Sequence, residues 1–325
     1  MSRVLVTGGT GFVGANLARR LLADGHEVHL LVREGSPNLW RLRDVLPGLR
    51  LHEVDLRDEG GVASAMAEVR PRQVFHLAVY GAYPSQTGLR QMVSANMLAT
   101  INVVEAALAA GSEAIVNTGS SSEYGYKDHA PGEAELPEPN SAYAVTKLSA
   151  TLYCQFIARS RQVRIPTLRL YSVYGPYEEP ARLIPALVAR GLRGELPPLV
   201  RPDIARDYVY AADVVDAYVL AAGAETGPLD AVYNVGTGVQ TTLAEAVAAA
   251  RRVMAIAAEP VWGSMDQRSW DTTVWVSDPA RIRQDLGWQA RTSFETGLRR
   301  TVEWLRAHPE LLALYERRQG GGARP

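Results

Sequence analysis

Apolar positions along this chain alternate between two periods. Short apolar runs predict six strands: Arg3–Thr7 (RVLVT), Glu27–Val32 (EVHLLV), Arg50–Val54 (RLHEV), Gln73–Leu77 (QVFHL), Glu113–Thr118, and one near Thr167–Leu170. Between them, apolar residues recur at helical spacing. Phe12–Leu22 sets Phe12, Val13, Leu17, Leu21 and Leu22 on one side, and longer helices are predicted over Leu89–Ala110 and Ser141–Arg161. Nearly continuous apolar strands separated by helices predict a parallel sheet covered on both faces, the α/β class with a doubly wound order.

After about Tyr171 the alternation breaks. Pro176, Pro180, Pro185, Pro197, Pro198 and Pro202 punctuate shorter elements, with helical stretches at Asp213–Ala222, Leu243–Val253 and Phe294–Arg306. The sequence shows neither a repeat nor a flexible linker. It therefore predicts residues 1–170 as a first domain, residues 171–318 mainly as a smaller lobe packed closely on it, and residues 319–325 as a flexible tail.

Composition narrows the function classes. The 325 residues are 47% hydrophobic and 21% charged, as in a globular protein. Lys and Arg number 34 against 35 Asp and Glu, which argues against holding nucleic acid or an anionic membrane by bulk charge. The single cysteine, Cys154, lies in an apolar helical run and reads as a core thiol, with no disulfide and no cysteine metal cluster possible. No apolar run of about 20 residues and no signal-peptide pattern is read. The expectation is a soluble, cytoplasmic protein with no metal.

Candidate chemistry begins at the first strand's end. Thr7-Gly8-Gly9-Thr10-Gly11-Phe12-Val13-Gly14 lies between a predicted strand and a predicted helix. Glycines there permit a tight turn, close approach of a pyrophosphate, and helix-on-strand packing, while the helix N-terminus offers free N–H groups. Gly8, Gly11, Phe12, Val13 and Gly14 are thus candidate cofactor residues of a Rossmann-type domain. At the end of the second strand, Val32 stands where an acid would bind the ribose of NAD, and Arg33 follows it. That pattern favours NADP, with tightly bound NAD as the alternative in which Arg33 is solvated and Glu34 meets the ribose. Asp55 either accepts from the adenine amino group or caps a turn, with Leu56 beside it and Ala78 at the fourth strand's end.

Tyr143 and Lys147, four apart in YAVTK, project from one face of a helix. A nearby ammonium lowers a phenol's pKa, so Lys147 is expected to ready Tyr143 for proton transfer at a carbonyl or alcohol. Ser120 is placed to hydrogen-bond the same oxygen.

Together, TGGTGFVG, the HLA of His76–Ala78, Asn96, Ser120 and YAVTK resemble the extended short-chain dehydrogenase/reductase family (NAD-dependent epimerase/dehydratase family) that works on nucleotide sugars. The resemblance covers nearly the whole chain. It implies a Rossmann-type doubly wound parallel sheet with a smaller C-terminal lobe for a nucleotide-diphosphate sugar, with the reaction in the cleft between them. It further implies that Lys147 holds the nicotinamide ribose, that Asn96 is structural, and that the protein is a homodimer. His76 reads as strand-end packing. Arg206, in RDYVY, is similar to an arginine that reaches the substrate diphosphate. Arg268 and Asp271 match an R-x-x-D spacing for phosphate and nucleoside ribose. Ser172 replaces the asparagine usual before VYGP, and Arg182 in ARLIP is a further candidate phosphate or base contact.

The reaction follows from what is missing. Relatives that eliminate water carry an Asp-Glu pair in the slots held here by Ser121 and Ser122, which cannot do that acid–base work. Those serines become candidate substrate contacts, and Glu123, one residue on, weakens the exclusion if it faces the cleft. Segments such as LRLYSVYGPYEEP resemble nucleotide-sugar 4-reductases of CDP-3,6-dideoxyhexose pathways. The expectation is NADPH-dependent reduction of the C4 ketone of a 4-keto-6-deoxy nucleotide sugar. The alternative is an NAD-dependent epimerase acting through a transient ketone. A redox sensor that merely binds NADP would not need Ser120, Tyr143 and Lys147 together.

Overall fold

In this computed structural model, residues 2–36, 38–83, 85–266 and 271–320 are described. Seven parallel strands form the central sheet: β1 (Arg3–Thr7), β2 (Glu27–Val32), β3 (Leu49–Glu53), β4 (Gln73–His76), β5 (Ala114–Ser120), β6 (Thr167–Leu170) and, after three short strands, β10 (Val232–Val235). Their order is β3-β2-β1-β4-β5-β6-β10, so the winding reverses between β1 and β4. A crevice opens outside the strands' C-terminal ends at such a reversal, and ligands of doubly wound sheets bind there.

Helices cover both faces. On one side pack α1 (Phe12–Ala23) and α7 (Ala211–Gly223), sharing a core with Val4, Val6, Leu30 and Phe75. On the other lie α2 (Glu59–Val69), α4 (Ala99–Ala109) and α5 (Ala142–Arg161), around Leu5, Val74, Ile115 and Cys154. Ser141 starts α5 by accepting from the Ala144 N–H, and Gln162 ends it in the left-handed conformation. The lobe has its own core where α6 (Leu183–Gly191), α8 (Leu243–Met254), α10 (Phe294–Ala307) and α11 (Pro309–Gly320) meet. Its short strands are β7 (Ser172–Tyr174), β8 (Ala205–Arg206), β9 (Tyr208–Tyr210) and β11 (Thr241–Thr242), and α9 (Ala280–Leu286) packs beside β10.

The expected α/β architecture is present, with informative differences. Helix α2 was not read from the sequence because Gly60 and Gly61 occupy its first turn. Yet Val62, Ala65, Met66 and Val69 bury one face at i, i+3, i+4 and i+7. Strand β10 pairs with β6 (Val232 opposite Thr167), so the chain beyond residue 170 returns to the main sheet and the contiguous boundary does not hold. A proline-broken stretch hides this strand because its partner lies far away in sequence. The tail expectation is corrected at its start: α11 runs to Gly320, and the Gln319 amide donates to the Pro180 carbonyl at 2.9 Å. Residues 321–325 lie outside the described residues.

The predicted helix Leu89–Ala110 consists of α3 (Leu89–Val93), a π turn over Ser94–Leu98, and α4. At 21 residues this stretch has the length and composition to cross a membrane, which corrects the sequence expectation. It packs on α2 and α5, with Leu89, Val93 and Leu98 left exposed on its other side.

Candidate active site

The phosphate cradle follows from backbone geometry. Gly8 has φ +69°, and a Cβ there would lie 2.6 Å from the Ala78 nitrogen. At Gly14 a Cβ would lie 2.2 Å from the Gly8 carbonyl oxygen, so the helix approaches the turn more closely than any side chain allows. The Gly11 N–H donates to that same carbonyl at 2.9 Å. Gly11 also begins α1 without a side-chain cap, and no acidic residue stands in the first turn. The N–H groups of Phe12, Val13 and Gly14 therefore have no intrahelical acceptor and face the crevice end of the sheet. These residues fit a dinucleotide pyrophosphate.

The cradle's floor is pinned from β4. The Thr7 hydroxyl and His76 Nδ1 are 2.7 Å apart, and His76 Nε2 is 3.0 Å from the Thr100 hydroxyl. Burial, with Lys147 adding repulsion, pushes the His76 imidazole down to about 3, so the ring is neutral and packs at the strand end. At the adenosine end, Arg33 is exposed just past β2. Asp55 is engaged by Arg57, whose backbone N–H and Nε each donate to Oδ1 at 2.9 Å. Arg57, with help from Arg33, holds the Asp55 carboxyl down to about 2. Of the two readings of Asp55, the structure bears out the turn cap: its Oδ1 accepts the N–H two residues on, and the Arg57 side chain reinforces the contact. Leu56 is partly buried beside it, its carbonyl accepting from Asn102 Nδ2 at 2.9 Å.

Ser120 ends β5 and caps the 3₁₀ turn Ser121–Tyr124, its hydroxyl 2.8 Å from that of Ser122. Ser121 is buried and Ser122 partly so. On α5, Tyr143 and Lys147 stand one turn apart, with Lys147 buried. Asn96, from the π turn, locks this corner. Its Oδ1 accepts the Tyr80 N–H at 2.8 Å, and its Nδ2 donates to the Tyr80 carbonyl at 2.7 Å and to Thr146 at 3.0 Å.

One electrostatic expectation is reversed. Burial pushes the Tyr143 phenol up to about 12, opposed by the Ser120 hydroxyl and Arg182 and reinforced by Glu123. Lys147 is not a leading influence on it. Burial lowers the Lys147 ammonium's own pKa, and Glu123 and Cys154 oppose that fall. The phenol is therefore held in its protonated form near neutral pH.

Glu123 does not face the cleft. It is fully buried, with Oε1 accepting the Ser120 N–H at 2.8 Å and Oε2 accepting Arg169 Nε at 2.8 Å. Both oxygens are committed, so Glu123 does not take the place of the missing Asp-Glu pair.

The substrate side gathers Ser172, Arg182, Arg206 and Asp271. Ser172 opens β7 opposite Tyr208, and Arg206 lies on β8, opposite Thr241 of β11. Arg206 Nη2 reaches Asp271 Oδ1 at 3.3 Å and Nη1 donates to the Ala205 carbonyl at 2.7 Å. Two residues expected to grip different parts of a ligand thus also contact each other. Arg182, at the start of α6, donates to the Ala82 carbonyl at 3.1 Å and lies 5.5 Å from the Tyr83 ring centre, tying the lobe to the loop after β4. Arg268 lies outside the described residues. Among the described residues, no group of three or more His, Cys, Asp or Glu could hold a metal ion.

Sequence reading missed Tyr83 and Glu178. Glu178 follows Tyr177, a non-glycine residue at φ +69°, in a loop held by its carbonyls. Pro176 accepts from Asn16 at 2.9 Å, Tyr177 from Arg41 at 2.7 Å and Glu178 from Tyr315 at 2.8 Å. Glu178 Oε2 is buried without a hydrogen-bond partner among the described residues. Burial pushes this carboxyl up to about 8, opposed by Arg182. A raised carboxyl pKa means the native state holds a proton that the unfolded chain releases, so stability falls as pH rises from about 4.5 to about 8. Glu178→Gln, which stays neutral, is expected to melt several degrees above wild type at pH 8 and nearly with it at pH 4.5. Equal differences at both pH values would contradict this.

Fold and site together define a Rossmann-type α/β protein with a dinucleotide cradle and a Ser-Tyr-Lys set beside it. The chain belongs to the NAD dependent epimerase/dehydratase family, whose model matches residues 4–236. It is 31% identical to a UDP-glucose 4-epimerase of Mycolicibacterium smegmatis, over 94% of this chain and 98% of that protein. It is 27% identical to a dTDP-glucose 4,6-dehydratase of Neisseria meningitidis, over 94% and 93%. The solved Thermus thermophilus UDP-glucose 4-epimerase in complex with NAD superposes with a TM-score of 0.84 at 30% identity, covering 94% of this chain and 99% of that one. Against the sequence expectations, these relatives carry UDP or dTDP sugars in their names, and the bound cofactor is NAD. They favour the epimerase alternative over the reduction of a CDP sugar.

Proposed function

We propose that this protein is a nucleotide-sugar 4-epimerase, acting on a UDP-hexose through a transient C4 ketone with NAD retained in the site. The observation that carries the reading is the Ser120, Tyr143 and Lys147 set standing without an acid–base pair for elimination. Ser121 and Ser122 fill those slots, and Glu123 is buried in an ion pair. That leaves proton transfer at one oxygen coupled to oxidation and reduction at its carbon, which is what epimerisation needs.

The cradle of Gly8, Gly11, Phe12, Val13 and Gly14 would hold the pyrophosphate, with Ala78 and Leu56 along the wall and Lys147 at the nicotinamide ribose. Bound NAD supplies a hydride acceptor and a positively charged ring. Tyr143 removes the proton from the sugar's C4 hydroxyl and later returns it, and Ser120 hydrogen-bonds the same oxygen. A phenol held up near 12 resists ionising in the free protein. Deprotonation is therefore coupled to the oxidised, cationic state of the site. Arg182, Arg206 and Arg268 supply charge for the diphosphate, with Asp271 at the ribose and Ser172 near the sugar.

The test is direct. Purified protein incubated with UDP-glucose and no added cofactor should yield the C4 epimer, followed by NMR. A second reading, NADPH-dependent reduction of a 4-keto sugar nucleotide, draws on the exposed Arg33 past β2. It prevails if no epimer forms while NADPH is consumed with a 4-keto-6-deoxy sugar nucleotide.

The reading includes a homodimer. Val145, Leu152 and Phe156 expose one apolar face of α5, with Leu89, Val93 and Leu98 exposed on the helix packed beside it. A second copy that docks the same face buries both sets. Phe156→Glu is expected to shift the mass from dimer to monomer in light scattering. A monomeric wild type contradicts the assignment.

A further inference from the structure

An ion pair lies beneath the reactive residues, and the proposed chemistry does not use it. Glu123 and Arg169 are 0% and 3% exposed. One carboxylate joins three elements. Oε1 takes the Ser120 N–H at 2.8 Å at the end of β5 and the Thr151 hydroxyl at 3.2 Å on α5, one turn beyond Lys147. Oε2 takes Arg169 Nε at 2.8 Å on β6. The strand makes room for it: a Cβ at residue 119 would lie 2.8 Å from Glu123 Oε1, and residue 119 is glycine. The Arg169 guanidinium rests 4.4 Å from the Tyr124 ring centre, and its Nη1 has no hydrogen-bond partner among the described residues.

A buried ion pair stabilises a fold little compared with apolar residues of the same volume. Glu123 also closes a capping box with Ser120, but capping alone gives no reason for the Arg169 pairing. Its position does. The ionisable groups that feel the Glu123 carboxylate are its partner Arg169 on β6 and Lys147, Tyr143 and Cys154 on α5. Its negative charge favours the protonated forms of both Lys147 and Tyr143.

We propose that Glu123 is a positioning residue for catalysis, holding Ser120 at the end of β5 in register with Thr151 on α5, the helix that carries Tyr143 and Lys147. The proposal rests on the reading of Ser120, Tyr143 and Lys147 as the reactive set. Its effect passes through those groups, since Glu123 itself has no route to the cleft.

The test is the pH dependence of kcat. Glu123→Gln preserves size and an acceptor for the Ser120 N–H but removes the charge. The limb of the profile that reports Tyr143 ionisation should move to lower pH by about one unit, since the charge favouring the protonated phenol is gone. The plateau kcat should fall about tenfold as a neutral amide holds Ser120 and Thr151 together less firmly than the carboxylate, with KM within about threefold. Glu123→Gln leaves Arg169 unpaired. The double variant Glu123→Gln/Arg169→Met removes both charges, is expected to fold, and should shift the limb in the same direction. A folded double variant whose profile superimposes on that of wild type overturns the proposal. A fall in kcat without any movement of the limb would mean Glu123 serves packing only, and overturns it as well. If Tyr143→Phe proves active, the reactive-set reading fails instead, so the two failures are distinguishable.

Discussion

Tyr143→Phe removes one oxygen from the site and is expected to lower kcat by about 10²–10⁴-fold, the range for loss of a positioned general acid–base. The ring fills the same volume, so α5 and its packing on the sheet should be unaffected. The cradle at β1 and α1 lies on a separate element, so cofactor content and the melting temperature should match wild type. The check is steady-state turnover of UDP-glucose beside the nucleotide content of the denatured protein. Normal turnover, or lost cofactor with normal turnover, would contradict the assignment of Tyr143 as the proton-transfer group.

Gly14→Ala should act at the other end of the site. A methyl there would lie 2.2 Å from the Gly8 carbonyl oxygen and 2.9 Å from the Gly9 Cα, both main-chain atoms with no rotamer to change. The turn must move away from α1, and the N–H groups of Phe12, Val13 and Gly14 lose their aim at the pyrophosphate. Dinucleotide affinity is expected to fall by about 10²-fold or more, equivalent to at least two charge-assisted hydrogen bonds. The protein should purify empty while its circular dichroism stays that of wild type. Stoichiometric cofactor in Gly14→Ala would show that the close approach is not needed for binding.

Local signals carried much of this architecture. β2 and β6 fall at their predicted bounds, α1 ends one residue beyond its prediction, and the TGGTGFVG turn takes the cradle geometry that its glycines imply. What stayed hidden depends on partners far apart in sequence. Nothing local marks Val232–Val235 as a seventh strand until β6 lies beside it. Glu123 reads as a possible acid in the cleft until Arg169 arrives, 46 residues on, to bury it. The raised Tyr143 phenol depends on burial, a property of the assembled cleft. The loop that carries Glu178 is fixed through the Pro176, Tyr177 and Glu178 carbonyls by Asn16, Arg41 and Tyr315, all distant in sequence.

The claim at the centre of this account is that oxidation and reduction at C4 take place on one bound cofactor that never leaves. UDP-glucose carrying deuterium at C4, incubated with the protein and no added cofactor, tests it most directly. The account predicts a C4 epimer that keeps its deuterium, in a mixture that reaches the same ratio from either side. Deuterium lost to solvent, or no epimer at all beside oxidation of NADPH by a 4-keto sugar nucleotide, would contradict it.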